Sequence, residues 1–385
     1  MKKIILSMMA ATIATASFAQ NPDALKQVMG AEKKSEATNI MKEQEATMTG
    51  VERAKAYNHI VDMAIKDNTK EQEKALMAKT PEDKDNRLTK QYKAAYDAVK
   101  YAQLCNVADN EPNEKGQVKP KYKKSNASRI QAMRNDLLHG GRWAYNNKLY
   151  DFAQRWFGMY AESHGDDLFS DTEAVQKEAN YGQVCYYAAL AAFMNKDYKK
   201  ADKYAGFALE SGDKEVQADA IKIQLNSYQA RKDAGEVDGE YLIKKVKQVY
   251  KANPDNDFVF GRYIGVLTDN GKKEEADKVL DKRLQENPND VMANAYFAQN
   301  AQEAGNYDKA IEAYSKVLVS QPDFLAVKYN LASCYRNKAL ELKNDNKPYK
   351  DYIEKAKAAF QEVQAADPDE VNFKTKYILS TIDEL

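Results

Sequence analysis

The chain reads as an all-α protein: an α-solenoid of stacked antiparallel helix pairs, with a helical N-terminal region and a C-terminal capping helix. Three observations predict this. Pro254, Pro288 and Pro322 lie 34 residues apart, and Pro368 follows 46 later, the same period with 12 residues inserted. Twelve residues before each proline stands a small or compact apolar residue (Leu242, Ala276, Ala310, Ala356), and four beyond that a larger one (Val246, Leu280, Tyr314, Phe360). Glycine and proline are scarce, 16 and 9 in 385 residues, too few for the turns of an all-β chain. A fixed period of this length marks helix pairs that stack because none can bury its apolar face alone.

Residues 1–19 read as a cleaved export signal. Lys2 and Lys3 form a charged start, Ile4 to Ala16 an apolar run too short to span a bilayer, and Ser17-Phe18-Ala19 places small residues where a signal peptidase cuts. No later segment approaches the length of a transmembrane span, and no cysteine follows the cleavage site to carry a lipid. The mature chain is therefore expected to be exported, to the periplasm of a Gram-negative cell or beyond it. Loss of Lys2 and Lys3 leaves 56 basic against 58 acidic groups, a near-neutral balance that argues against a nucleic-acid partner. An apolar content of 43% and an aromatic content of 10% place the chain among folded proteins.

Residues 20–125 form the N-terminal helical region, where the 34-residue period is absent. Helices are expected over 31–66 and 86–107, the second with an apolar stripe of Tyr92, Tyr96, Val99 and Leu104. A polar loop over 106–125 follows, holding Pro112, Gly116 and Pro120 and the basic cluster Lys119, Lys121, Lys123 and Lys124. Loops of this length are functional, mobile or solvated connectors.

Residues 126–369 hold about six repeats. In 257–290 a first helix carries Phe258, Tyr263, Val266 and Leu267, Gly271 breaks it, and a second carries Ala276, Val279, Leu280 and Leu284 at helical spacing. Asn287-Pro288 ends the unit, because proline lacks an amide hydrogen and forces the preceding residue out of helical geometry. Residues 291–324 repeat the scheme with Phe297-Ala298, Gly305-Asn306-Tyr307, Ala310, Tyr314, Val317 and Pro322, and this unit resembles the tetratricopeptide repeat. Only the leading tryptophan and the first-helix tyrosine of that family's pattern are missing, replaced by Asn294 and Ala301. The resemblance continues through Leu331-Ala332, Tyr335, Ala356, Phe360, Val363 and Pro368. Weaker copies lie at 136–165, with Gly140-Gly141 and Ala153, and at 181–213, with Ala188-Ala189 and Ala201. A further pair over 215–254 has a lengthened turn from Asp233 to Asp238. The insertion, Leu340 to Asp351, should lengthen one hairpin and project from one rim. Residues 370–385 are expected to form a single amphipathic capping helix with Val371, Ile378 and Ile382 on its apolar side.

Motifs for chemistry are sparse. His59, His139 and His164 have no second histidine or cysteine at ligand spacing, and neither HExxH nor CxxC occurs. His139-Gly140-Gly141 sits where the repeat requires small residues within a helix, so packing explains it better than an oxyanion loop. Cys105, Cys185 and Cys334 read as small buried thiols, with a single long-range bridge as the alternative. The acidic stretch at 111–115 lacks the alternating carboxylates of a calcium loop. No cofactor, metal or catalytic residue is expected.

The resemblance implies a groove lined by the first helices of the pairs. Carried over position by position, it gives Arg142, Tyr145, Asn146 and Tyr186, and further along Gln299, Gln302, Tyr329, Arg336 and Asn337. It also gives Asn135, Leu138, Leu190, Phe193 and Met292. The lysines and asparagines of the family's clamp for chaperone tails are not in place. The expected function is an exported, non-catalytic scaffold that binds a protein or peptide at the cell envelope. The alternative is a module for glycan or cell-wall fragments, since the chain's 25 tyrosines could stack on sugars.

Overall fold

A computed structural model describes residues 22–385, and the expected signal over 1–19 lies outside them. Among the described residues every regular element is helical. The chain divides into two compact units that meet in sequence between Ala234 and Gly235, inside the lengthened turn.

The first unit opens with two short helices, α1 (Pro22–Gly30) and α2 (Lys34–Gln44). A long hairpin follows, α3 (Gly50–Met77) and α4 (Pro81–Asp109). The expected helix over 31–66 is thus two helices, divided where Thr49 accepts from the Glu52 amide and Glu52 reaches back to the Thr49 amide, a reciprocal cap that starts α3 afresh. Helix α4 begins five residues earlier than expected, because Thr80 caps the Asp83 amide and Pro81 occupies the first helical position. The polar loop is shorter than 106–125. α4 continues to Asp109 and the next helix starts at Lys123, while the Asp109 carboxylate accepts the Tyr122 amide at 2.7 Å and anchors the loop's far end.

Then come α5 (Lys123–Asn146), α6 (Tyr150–His164), a short α7 (Glu173–Gln176), α8 (Tyr181–Met194), α9 (Tyr198–Leu209) and α10 (Lys214–Asp233). Helices α5 and α6, and α8 and α9, form antiparallel pairs, and α10 packs on α8 and α9. Gly140 and Gly141 mark close helix crossings. A methyl group on Gly141 would stand 2.4 Å from the Phe157 ring, and one on Gly140 2.6 Å from Tyr92. The segment between α6 and α8 folds against the unit through the buried side chains of Leu168, Phe169 and Val175.

The second unit holds α11 (Gly239–Ala252), α12 (Asp257–Asp269), α13 (Lys273–Glu286), α14 (Val291–Glu303), α15 (Tyr307–Ser320), α16 (Leu325–Asn344), α17 (Lys350–Ala366) and α18 (Lys376–Thr381). Ala276, Ala298, Ala310 and Ala356 are all fully buried at helix contacts, with Leu280, Tyr314 and Phe360 beside them. Helices α16 and α17 have 20 and 17 residues against 13 and 14 in α14 and α15, so the insertion is taken up as extra helical turns of one hairpin. The capping helix expected over 370–385 is confined to α18 and a final 3-10 turn. Two carboxylates hold the segment before it in a loop instead. Asp367 accepts the amides of Val371, Asn372 and Phe373, and Glu370 those of Thr375 and Lys376. Val371 is consequently exposed, whereas Ile382 is fully buried.

One turn recurs inside the pairs. After α5, α8, α12, α14 and α16 the second residue beyond the helix has positive φ: Lys148, Lys196, Gly271, Gly305 and Asn346. The next amide returns to the carbonyl five residues earlier at 2.8–2.9 Å, as in Leu149 to Ala144 and Asn306 to Ala301. This is the Schellman closure, which satisfies carbonyls left open at a helix end and reverses the chain tightly. Glycine adopts it freely, but a lysine there is strained. Lys196→Gly should therefore stabilise the chain by about 0.5–1 kcal/mol, and Gly305→Ala destabilise it by about 1 kcal/mol or more, as read by urea denaturation.

Candidate partner-binding face

In the first unit the candidate residues lie on α5 and α8, and α10 packs on α8. Arg142 and Asn146 are exposed on α5, and Tyr145 is half-buried between them. The Tyr145 ring lies 5.6 Å from Tyr150 and 6.4 Å from Tyr187, and Tyr187 lies 5.5 Å from Tyr186. On α10, Asp219 and Lys222 form an ion pair at 2.9 Å. Burial, then the Asp219 carboxylate and Tyr187, raises the Tyr186 phenol above its ordinary range. Burial and the neighbouring phenols do the same for Tyr145. Both hydroxyls therefore stay protonated and can donate as well as accept. Arg142, Tyr145, Asn146 and Tyr186 thus lie on successive first helices of one unit, with Tyr187, which repeat position alone did not select, as the ring that joins them.

The second unit carries the other five candidates, and two of them have internal roles. Gln302 accepts a hydrogen bond from the Tyr314 hydroxyl at 2.9 Å, so it ties α14 to α15. Tyr329 packs between Phe360 at 5.5 Å and Phe373 at 5.3 Å, part of the cluster that closes the C-terminus. Each therefore has an internal partner, and each remains half-buried. The tail loop that brings Phe373 onto Tyr329 has no counterpart in the repeat pattern. Gln299 is exposed and hydrogen-bonds Glu303, while Arg336 and Asn337 are half-buried on α16.

The strongest polar cluster is interior. Arg134 on α5 is fully buried, forms a two-pronged ion pair with Glu178, donates to the Ser163 hydroxyl at 2.9 Å and to the Tyr160 carbonyl at 3.2 Å, and lies 4.4 Å over the Tyr160 ring. His164 stacks on Tyr181 at 3.8 Å, with Nδ1 3.5 Å from the Glu178 carboxylate. Burial pushes the Glu178 carboxyl up, but His164 and Arg134 outweigh it, so its pKa lies below the ordinary glutamate value. The cluster fastens the α6–α8 segment to α5. No sequence pattern signals it, because a lone arginine and a glutamate 44 residues on look like surface charges.

Among the described residues no group of histidine, cysteine, aspartate and glutamate side chains could hold a metal. The three cysteines are free and buried, and burial pushes each thiol up to about 12, which keeps it unreactive. No helix among the described residues is long and apolar enough to cross a membrane.

The small-residue contacts, the repeated Schellman turn and the Asn-Pro steps fall in one register along the helix pairs. The helix pairs are of the tetratricopeptide type in fold. No family model matches it. Over 171 residues it is 26% identical to the antiviral innate immune response effector IFIT1 of Macaca fascicularis, and over 165 residues 21% identical to the human protein. These matches take in 44% and 42% of the chain and 32% of each relative, so the match spans about a third of the relatives' length. Among solved structures, a TPR repeats protein from Bacteroides fragilis aligns with 65% of the chain and 98% of its own length, at 18% identity and a TM-score of 0.33. A monomeric mutant of IFIT1 aligns with 94% of the chain and 74% of its own length, at 16% identity and a TM-score of 0.36.

Arg134→Ala should cost about 3–5 kcal/mol, since it removes a fully buried side chain and leaves the half-buried Glu178 carboxylate without its guanidinium partner. The depressed Glu178 carboxyl contributes stability that is complete above the ordinary glutamate value of 4.5 and is lost as pH falls through its lower folded value. Chemical denaturation at pH 7 and pH 3 should show a smaller acid-induced loss in Glu178→Gln than in the unaltered chain.

Proposed function

We propose that the chain is an exported, non-catalytic scaffold that binds an extended peptide or protein segment on the α5, α8 and α10 face of its first unit. The observation that carries this reading is the tyrosine strip itself, Tyr145, Tyr187 and Tyr186, flanked by the exposed Arg142 and Asn146. Tyrosine and arginine combine large contact area with hydrogen bonding at low entropic cost, which suits the alternating apolar and amide groups of a peptide. The rings meet one another at steep angles, 67° for Tyr145 on Tyr150 and 55° for Tyr186 on Tyr187. Such mutual packing leaves hydroxyls and edges for a ligand more readily than the open ring faces a sugar needs. The near-neutral charge also favours a peptide over a nucleic acid. Export rests on residues 1–19, with the mature chain beginning at Gln20.

A photo-reactive benzoylphenylalanine in place of Arg142, in the full chain expressed in its own cell, tests the reading. Ultraviolet light should give a discrete protein adduct that disappears with Tyr186→Ala, and a probe at the exposed Lys199 on α9 should give none. Oligosaccharide binding that is lost with Tyr186→Ala, with no protein adduct at position 142, would establish the glycan reading instead. The intact mass of the chain from the envelope fraction should correspond to a start at Gln20.

A further inference from the structure

The second unit contains a cavity that its repeat register explains. Phe260 on α12 is fully buried, with the Arg283 guanidinium 4.1 Å over its ring. One period later, 34 residues on, the same place in α14 holds Asn294. Asn294 is buried too, yet its amide donates to the backbone carbonyls of Pro288 at 2.9 Å and Asp290 at 2.8 Å and so faces the turn. Where the preceding unit has a ring, this one has a cavity of about 320 Å³, bounded beside Asn294 by Leu284, Pro288, Phe297 and Ala313. Its remaining walls are exposed side chains of α15, so the space is open to solvent.

Those walls carry an unbalanced charge. Lys316 pairs with Glu312 at 2.8 Å, which neutralises both, while Lys309 is exposed and makes no ion pair among the described residues. A recess with Leu284, Pro288, Phe297 and Ala313 in its walls, roomy enough for an aromatic side chain and with one uncompensated ammonium at its edge, has a definite complement. We infer that this cavity is a docking site for a partner peptide that presents an aromatic side chain next to a carboxylate. The ring takes the place that Phe260 fills from within in the preceding unit, and the carboxylate meets Lys309. The site belongs to the α13, α14 and α15 side of the second unit and does not depend on the tyrosine face of the first.

The probe is N-acetyl-5-fluorotryptophan, followed by fluorine NMR line broadening on addition of the full chain, with its C-terminal amide as the uncharged control. The acid should broaden more than the amide. Asn294→Phe restores the ring of the preceding unit and should abolish the broadening while leaving the thermal midpoint no lower than in the unaltered chain. Lys309→Glu should weaken binding of the acid by about fivefold and leave the amide unchanged. Absence of broadening with the unaltered chain, or equal broadening with folded Asn294→Phe, would overturn the inference. Equal binding of acid and amide would overturn the part assigned to Lys309.

Discussion

Everything in this structure depends on how closely two antiparallel helices can approach. Where Ala298 meets the α15 residues around Ala310, and where Gly141 faces Phe157, the side chain on one helix is small enough for the other to press against its backbone. That approach positions the larger residues one turn on, Tyr314 and Phe157, which fill the space left and are nearly fully buried. The Schellman turns make the same demand from the other end, since a reversal in three residues only connects helices that are already close. The tyrosine face of the first unit is built from half-buried side chains of α5 and α8, and the cavity beside Asn294 opens where a pair lacks a filling ring.

The fold was legible because its constraint is periodic. Proline at the end of a unit, alanine twelve residues before it and glycine in the turn are each dictated by backbone geometry, and such residues cannot be exchanged freely. Legibility failed where a device was used once. The reciprocal cap of Thr49 and Glu52 cuts one expected helix in two, and the Asp367 and Glu370 loop replaces most of an expected capping helix. Lys148 and Lys196 made two copies weaker to read, since they occupy a backbone conformation for which lysine is a poor indicator.

The candidate site was legible only in part, for a related reason. Repeat position fixes which way a residue points from its helix, and it placed Arg142, Tyr145, Asn146 and Tyr186 on one side of the first unit. It carries no information about what else folds onto that side. Tyr329 was selected by the same rule, yet its ring also packs against Phe373 from a non-repeating loop, and Gln302 accepts from the Tyr314 hydroxyl. The buried Arg134 and Glu178 pair escaped notice because burial of a charge depends on an insertion that lies outside the period.

The stability of Ala310→Leu tests the close-approach constraint most directly. Ala310 is fully buried in the contact between α14 and α15, so added methylene groups must push the two helices apart. A loss of about 1–3 kcal/mol in urea denaturation is expected. A variant as stable as the unaltered chain, with Tyr314 still buried, would show that the pair does not depend on close approach there.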